Sequence, residues 1–291
     1  MKTLFIAEVS SNHGADLSRC LAFVETAACI GCDAVKFQLF RVESLFAPEI
    51  LARSAMHRKR RDWELPAAFL PAINEICRKH NIAFCCTPFD LRAVDELAPY
   101  VDWYKIASYE LTWPDLLRAC GASGKPVILS TGMADLDECR KATVILRQSG
   151  CVDLTLLHCV SAYPSRPEDA NLASLDTIRD ACACKAGWSD HSVSPGVIHQ
   201  AVFGFKAAVV EFHLDLDGQG EEFVSGHCWL PDSIAEIIRQ VRAGEKSVGD
   251  GIKRHTLAEA DERLWRADPE DGLRPFKIIR SSFKGDGVPR G

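Results

Sequence analysis

Residues 4–39 read LFIAEVSSNHGADLSRCLAFVETAACIGCDAVKFQL, in which two apolar runs flank a segment of helical period. The pattern predicts strands at 4–9 and 34–39. The helix between them is expected to begin near Asp16, a favoured N-cap residue, and to end at Gly31. A strand, a crossover helix and a second strand are typical of a parallel sheet.

The same alternation continues along most of the chain. Six further strands are predicted at 82–87, 103–107, 126–130, 154–160, 186–189 and 207–213, each followed by a segment of helical period. Eight such units, with both faces of the sheet covered, favour a closed (β/α)8 TIM barrel of the α/β class over an open doubly wound sheet. We expect the barrel to occupy residues 1–246 and a C-terminal extension without a recognised domain to occupy 247–291.

Composition and charge argue against several classes of protein. The net charge is −6 and the longest basic run is Arg58–Arg61, which argues against nucleic acid as a partner. No apolar run approaches the roughly 20 residues needed to cross a bilayer, so no membrane span is expected. The 13 cysteines fall mostly inside predicted helices and strands, which indicates reduced thiols and a cytoplasmic location.

Polar side chains concentrate where the predicted strands end. In a barrel of this type the carboxyl ends of the strands face the catalytic mouth. Those ends carry Glu8, Lys36, Gln38, Thr87, Lys105, Ser108, Ser130, Ser161, Tyr163, Ser189, His191, Glu211 and His213. Ammonium and hydroxyl groups suit a phosphate and a carboxylate, whereas imidazoles from adjacent strands suit a divalent cation. A lone lysine or histidine in such a place is often only structural, and His158, inside an apolar strand, is interpreted as a core residue.

Nine short motifs at these ends resemble the sialic acid synthase family, which includes N-acetylneuraminate, legionaminate and pseudaminate synthases. The motifs run in order from Ile6-Ala7-Glu8 through Asp33–Gln38, Thr87–Asp90, Lys105–Ser108 and Leu129–Met133 to Ser189–His191 and Glu211–His213. The resemblance implies a condensation of phosphoenolpyruvate (PEP) with an aldose, such as an N-acetylmannosamine-like amino-hexose. The products would be a nonulosonic keto acid and phosphate.

The resemblance also implies a role for each matching residue. Glu8 is expected to act as the acid/base, with Lys105 as a second catalytic residue. PEP is expected to contact Lys36, Thr87, Lys105, Ser108, Ser130, Ser161 and Ser189. Gln38 and Tyr163 would face the sugar, and His191 and His213 would hold manganese or magnesium. Family members are usually dimers, so we expect a homodimer.

The chain departs from the family pattern at three places. Ser161 stands where the family usually has Asn, and residues 220–227 replace a Pro-Asp-His stretch that helps to bind the sugar. Glu222 and His227 are the candidates to substitute there. Beyond Ser247 the sequence has no recognisable equivalent of the family's antifreeze-like domain.

Two other functions stay open at this point. One is a Schiff-base aldolase or lyase on the same fold, with Lys105 or Lys36 as the nucleophile. The other is a barrel that has lost catalysis and serves as a binding subunit in glycan biosynthesis. The presence of Glu8, Lys105, His191 and His213 together speaks against the second.

Overall fold

In a computed structural model that describes residues 2–283 and 285, the first strand hydrogen-bonds to both the second and the eighth, which closes the sheet into a barrel. All eight strands are parallel. They are β1 (Leu4–Glu8), β2 (Ala34–Leu39), β3 (Ala83–Pro88), β4 (Trp103–Ile106), β5 (Val127–Ser130), β6 (Leu154–Cys159), β7 (Lys185–Asp190) and β8 (Val209–Leu214). The predicted fold class is confirmed, and each predicted strand boundary lies within two residues of the observed one.

Helices separate the strands, the longer ones on the outside of the barrel and the short ones of the loops after β2 and β8 at its mouth. They are α1 (Leu17–Cys29), α2 (Val42–Leu45), α3 (Pro48–Arg53), α4 (Ala55–Lys59), α5 (Leu70–His80), α6 (Leu91–Leu97), α7 (Pro114–Gly121), α8 (Leu136–Gln148), α9 (Ser174–Cys182), α10 (Pro195–His199), α11 (Glu221–Val224) and α12 (Pro231–Ser247). The Asp16 side chain accepts a hydrogen bond from the Arg19 amide and caps α1, as predicted. Gly31 follows this helix with φ +89°, a conformation that glycine adopts without strain.

The two-residue period of a strand explains how an apolar barrel interior leads to a polar mouth. Ile6, Ala34, Ile128 and Val209 form a buried apolar cluster of their own, separate from the main core between sheet and helices. Two residues further along the same strands, on the same face, stand Glu8, Lys36, Ser130 and Glu211. The polar layer is therefore fixed by the same register that packs the apolar layer beneath it.

A ninth strand, β9 (Cys228–Trp229), follows α11 and was not predicted, because two residues are too few to show a period. It pairs in parallel with β8, placing Cys228 opposite His213 and Trp229 opposite Leu214. The Trp229 indole N–H donates to Asp190 at 3.0 Å, which ties β9 to the end of β7. The chain after β8 thus returns to the mouth of the barrel.

The described residues divide into two compact units, one ending at Glu245 and one beginning at Lys246. The second contains a 3-10 turn (Leu257–Glu259) and two short helices, α13 (Ala260–Leu264) and α14 (Lys277–Arg280). Within it, Asp268 accepts a hydrogen bond from the Lys277 amide at 2.8 Å. None of the helices in the described part of the chain has both the length and the apolarity that a membrane span requires.

Candidate active site

A buried group of two lysines and two carboxylates forms the floor of the mouth. Nζ of Lys36 lies 3.1 Å from Oε2 of Glu8 and 3.2 Å from Oε2 of Glu211. Nζ of Lys105 lies 3.2 Å from Oε1 of Glu211, and the Ser189 hydroxyl donates to the same oxygen at 3.0 Å. The two lysines and two glutamates are each at most 4% exposed. Glu211 is therefore shared between both ammonium groups.

These contacts shift the pKa values of the floor residues in opposite directions. Burial would lower the pKa of Lys36, but the carboxylates of Glu211 and Glu8 raise it above its ordinary value. Burial lowers the pKa of Lys105, with the neighbouring Lys36 ammonium adding to the shift and the carboxylates of Glu211 and Glu8 opposing it. Burial would raise the pKa of Glu211, but the two lysines hold it well below its usual range. The pKa of Lys36 is thus shifted up and that of Lys105 down.

Hydroxyl groups line the wall beside the lysines. Among the described residues, the side-chain oxygens of Thr87, Ser130 and Ser161 are buried and have no hydrogen-bond partner. The Ser108 hydroxyl accepts a hydrogen bond from the Gly132 amide at 3.0 Å. A Cβ placed on Gly132 would lie 2.2 Å from Oγ of Ser161, so only glycine leaves room for that hydroxyl. Buried donors without partners beside ammonium groups make a site suited to a phosphate or carboxylate.

The mouth opens into a cavity of about 710 Å³. Its lining contains every site residue predicted from the sequence except Ser161: Glu8, Lys36, Gln38, Thr87, Lys105, Ser108, Ser130, Tyr163, Ser189, His191 and His213. The Ser161 hydroxyl nevertheless lies at the same wall, against Gly132. The Gln38 amide donates to Oε1 of Glu8, whereas Lys36 pairs with Oε2, so both oxygens of this carboxylate are held.

Two histidines stand at the rim, with ring centroids 5.4 Å apart. Nδ1 of His191 lies 2.7 Å from the Val160 carbonyl oxygen, which leaves Nε2 as the accepting nitrogen. Burial, with the neighbouring His213, lowers the pKa of His191 to about 3, so its imidazole is neutral. The Tyr163 ring lies against His191, with centroids 4.2 Å apart.

His213 also belongs to a group of metal-ligand side chains that comes from the loop after β8. Its Nδ1 lies 2.8 Å from Oε2 of Glu222. Ligand atoms of His213, Glu222, His227 and Cys228 all lie within 4.8 Å of one another. Two imidazoles, a carboxylate and a thiol are donors that fit a divalent transition ion.

Two residues of the site were given no function in the sequence analysis. Glu211 was noted at a strand end, but its position between two lysines follows only from the register of β2, β4 and β8. Glu110 lines the cavity, and burial raises its pKa to about 7. Its only sequence signal is its place two residues after Ser108.

The long segment after β2 supplies the outer wall. Phe46, His57, Arg60 and Trp63 line the cavity, and the Arg60 guanidinium lies 5.4 Å from the ring centroids of Phe46 and Trp63. His158, interpreted as a core residue, has its Nε2 2.9 Å from the Ala170 carbonyl oxygen.

The chain is similar to several known proteins. The model of the NeuB family matches residues 23–253. The chain is 34% identical over 272 residues to the N,N'-diacetyllegionaminic acid synthase of Campylobacter jejuni, covering 89% of this chain and 81% of that protein. It is 31% identical over 299 residues to the pseudaminic acid synthase of Helicobacter pylori, covering 98% of this chain and 84% of that one. A solved structure of N-acetylneuraminic acid (sialic acid) synthetase from Leptospira borgpetersenii superposes with a TM-score of 0.79 at 30% identity over 90% of each chain.

Proposed function

The chain belongs to the NeuB family, and from that premise we propose that this enzyme condenses PEP with the open-chain form of an amino-hexose. The products are phosphate and a nonulosonic keto acid of the sialic acid type. The observation that carries the proposal is the buried floor, where Lys36 and Lys105 flank Glu211 beside a wall of unpartnered hydroxyls. Such a floor suits a ligand with both a phosphate and a carboxylate, as PEP has.

In the proposed complex the phosphate and carboxylate of PEP lie against the two lysines and the hydroxyl wall. The residues that would hold PEP are Lys36, Thr87, Lys105, Ser108, Ser130, Ser161 and Ser189. Because the lysines are already held by buried ion pairs and the hydroxyls of Thr87, Ser130 and Ser161 have no competing partner, the site needs little rearrangement to bind an anion. Gln38 and Tyr163, further out in the same cavity, would contact the sugar.

The bond-forming step joins the third carbon of PEP to the aldehyde carbon of the sugar. The electron pair of the enol double bond makes the new bond, and the aldehyde oxygen takes up a proton to become a hydroxyl. Water then adds to the electron-poor second carbon and loses a proton, and phosphate leaves to give the keto group. Glu8, held by Gln38 and Lys36, is the group that moves these protons.

The reaction also calls for a divalent cation at the aldehyde end of the cavity, manganese or magnesium by the family resemblance. Bound there, it supplies polarisation of the aldehyde oxygen. His213 faces two sets of possible co-ligands, namely His191 on β7 and the Glu222–Cys228 segment after β8.

The direct test is phosphate release from PEP by the purified full chain, measured with a panel of amino-hexoses and a divalent metal. We expect release only when PEP, sugar and metal are all present. Glu8→Gln should lower turnover by about 100-fold to 10,000-fold and leave PEP affinity nearly unchanged. Glu75→Gln, at an exposed position, serves as the matched control. No release with any sugar of the panel would contradict the proposal.

The lowered pKa of Lys105 favours a second candidate, a Schiff-base aldolase or lyase with this lysine as the nucleophile. Borohydride trapping of an adduct on Lys105 that persists with a chelator present would support it. Absence of an adduct, together with metal-dependent phosphate release, favours the condensation. A barrel without catalysis, acting as a binding subunit, would bind PEP or sugar without any turnover.

We further propose that the enzyme works in the cytoplasm as a homodimer, with the site in the barrel of residues 1–246 and a separate extension at 247–291. All 13 cysteines lie within the described residues and have free thiols, which supports a reducing compartment. A mass measurement in solution, on the full chain and on a chain truncated after residue 246, tests both the dimer and the division.

A further inference from the structure

The two carboxylate oxygens of Glu222 have separate surroundings. Oε1 accepts hydrogen bonds from the Ser10 hydroxyl and from the Ser11 hydroxyl, the latter at 3.0 Å. Oε2 faces Nδ1 of His213 at 2.8 Å, Nε2 of His227 at 3.5 Å and Sγ of Cys228 at 3.7 Å. One oxygen is thus anchored, and the other is presented to three ligand atoms.

The other ligand side chains are also oriented by their own contacts. Nδ1 of His227 lies 2.8 Å from the Ser225 hydroxyl, which turns Nε2 toward Glu222. Cys228 is held opposite His213 by the pairing of β9 with β8. Hydrogen bonds to the far nitrogen or oxygen of a ligand are what metal sites use to fix ligand orientation.

We propose that His213, Glu222, His227 and Cys228 form a transition-metal site, here called the loop metal site, that prefers zinc-class ions to magnesium. Donor bonds of about 2.0–2.3 Å in a tetrahedral site place donor atoms about 3.3–3.8 Å apart. The three separations around Oε2 of Glu222 run from 2.8 to 3.7 Å, and all four ligand atoms lie within 4.8 Å of one another, so side-chain adjustments are enough to bring them around one ion. Imidazole and thiolate donors suit zinc, cobalt or iron, whereas magnesium requires oxygen ligands and water.

His191 takes no part in the loop metal site. Among the described residues, no third His, Cys, Asp or Glu joins His191 and His213 in a group of mutually close ligand atoms. The loop metal site instead draws two of its four ligands, Glu222 and His227, from residues 220–227, where the chain departs from the family pattern, and a third, Cys228, from the next position. Any role of the loop metal site in the reaction rests on the proposed function. Metal binding itself can be measured without turnover.

The test is calorimetric titration of the metal-free full chain with zinc, manganese or magnesium chloride, together with absorption spectra after cobalt loading. We expect one zinc per chain, bound at least about 10-fold more tightly than magnesium. Cobalt should give a thiolate-to-metal charge-transfer band that Cys228→Ser removes while one cobalt still binds. His227→Gln and Glu222→Gln should each weaken zinc binding by about 10-fold to 100-fold.

Two further variants separate the alternatives. His191→Gln should leave zinc affinity unchanged, as should His255→Gln at an exposed position. Loss of zinc binding in His191→Gln with full binding in His227→Gln would overturn the loop metal site, as would equal affinity for magnesium and zinc. Circular dichroism tests whether each variant is folded. If Glu222→Gln is unfolded, the zinc affinity of His227→Gln and the cobalt spectrum of Cys228→Ser decide whether the loop metal site exists. Normal zinc binding without phosphate release would contradict the proposed function and leave the loop metal site standing.

Discussion

Oε1 of Glu211 lies 3.2 Å from Nζ of Lys105, inside a barrel that leaves neither residue more than 4% exposed. Oε2 of the same carboxylate lies 3.2 Å from Nζ of Lys36. One glutamate therefore forms ion pairs with two ammonium groups that would otherwise repel each other in a region of low dielectric, and Glu8 supplies the second negative charge. The floor of the site depends on this residue both for stability and for the geometry of its cations.

Replacing this shared carboxylate should be costly. Glu211→Gln leaves two buried ammonium groups with only Glu8 nearby, and we expect the free energy of unfolding at pH 7 to fall by about 3–5 kcal/mol. Urea denaturation measures the change. Glu236→Gln, which breaks an exposed ion pair with Arg239, should leave stability unchanged. A loss for Glu211→Gln no larger than that of this control would refute the shared-carboxylate interpretation.

Glu110 should make stability depend on pH near neutrality. Burial raises its pKa in the folded state to about 7, although Lys105 opposes the shift, while the unfolded chain has the ordinary value of about 4.5. Between these values the folded state binds more protons, so the contribution of Glu110 to stability is present below about pH 4.5 and is lost as the pH rises through 7. We therefore compare the free energy of unfolding of Glu110→Gln with that of the parent at each pH. The change from parent to variant should be more favourable at pH 8 than at pH 5, by up to about 3 kcal/mol.

Urea denaturation of both proteins at the two pH values checks this difference. Glu75→Gln, at an exposed position on α5, provides the matched control and should follow the parent at both. If the difference in the free energy of unfolding between Glu110→Gln and the parent is the same at pH 5 and pH 8, the pKa of the Glu110 carboxyl is not raised by folding.

Gly132 should tolerate no side chain while Ser161 is present. A Cβ at this position would lie 2.2 Å from Oγ of Ser161 and 2.9 Å from Oγ of Ser108. Gly132→Ala should therefore cost about 1–3 kcal/mol of stability through overpacking, and should also weaken PEP binding because both hydroxyls must move. In a Ser161→Ala background the same substitution should cost less, and a double-mutant cycle measures that coupling. Strict additivity of the two changes would show that the contact does not exist.

Asp190 should control the position of β9. Its two oxygens accept from the indole N–H groups of Trp188 and Trp229, each at 3.0 Å, so the carboxylate joins β7 to β9. Asp190→Asn retains only one accepting oxygen, and we expect a loss of about 1–3 kcal/mol in stability together with weaker zinc binding at Cys228. Denaturation and calorimetry measure the two effects. Trp229→Phe, which removes the indole N–H donor and keeps a smaller aromatic ring, should reproduce the metal effect.

Much of the fold follows from local pattern. Each strand and helix of the barrel shows its own period in a short window, and turn residues such as Asp16 and Gly31 mark where a helix begins and ends. Because polar residues at the ends of parallel strands must share one mouth, Lys36 and Lys105 were correctly expected in one cavity. Strand β9 is too short to show such a period and was therefore not predicted.

The sequence therefore settles the order of the strands, the closed barrel and the set of side chains at its mouth, because these depend on periods and strand ends that lie close together in the chain. Tertiary structure alone places Glu211 between two lysines, brings Arg60 to the outer wall and sets Glu222 against His213 and Cys228. These relationships depend on barrel register and on the path of two irregular loops. Contacts between residues distant in sequence leave no mark in local composition, so only the folded chain reveals them.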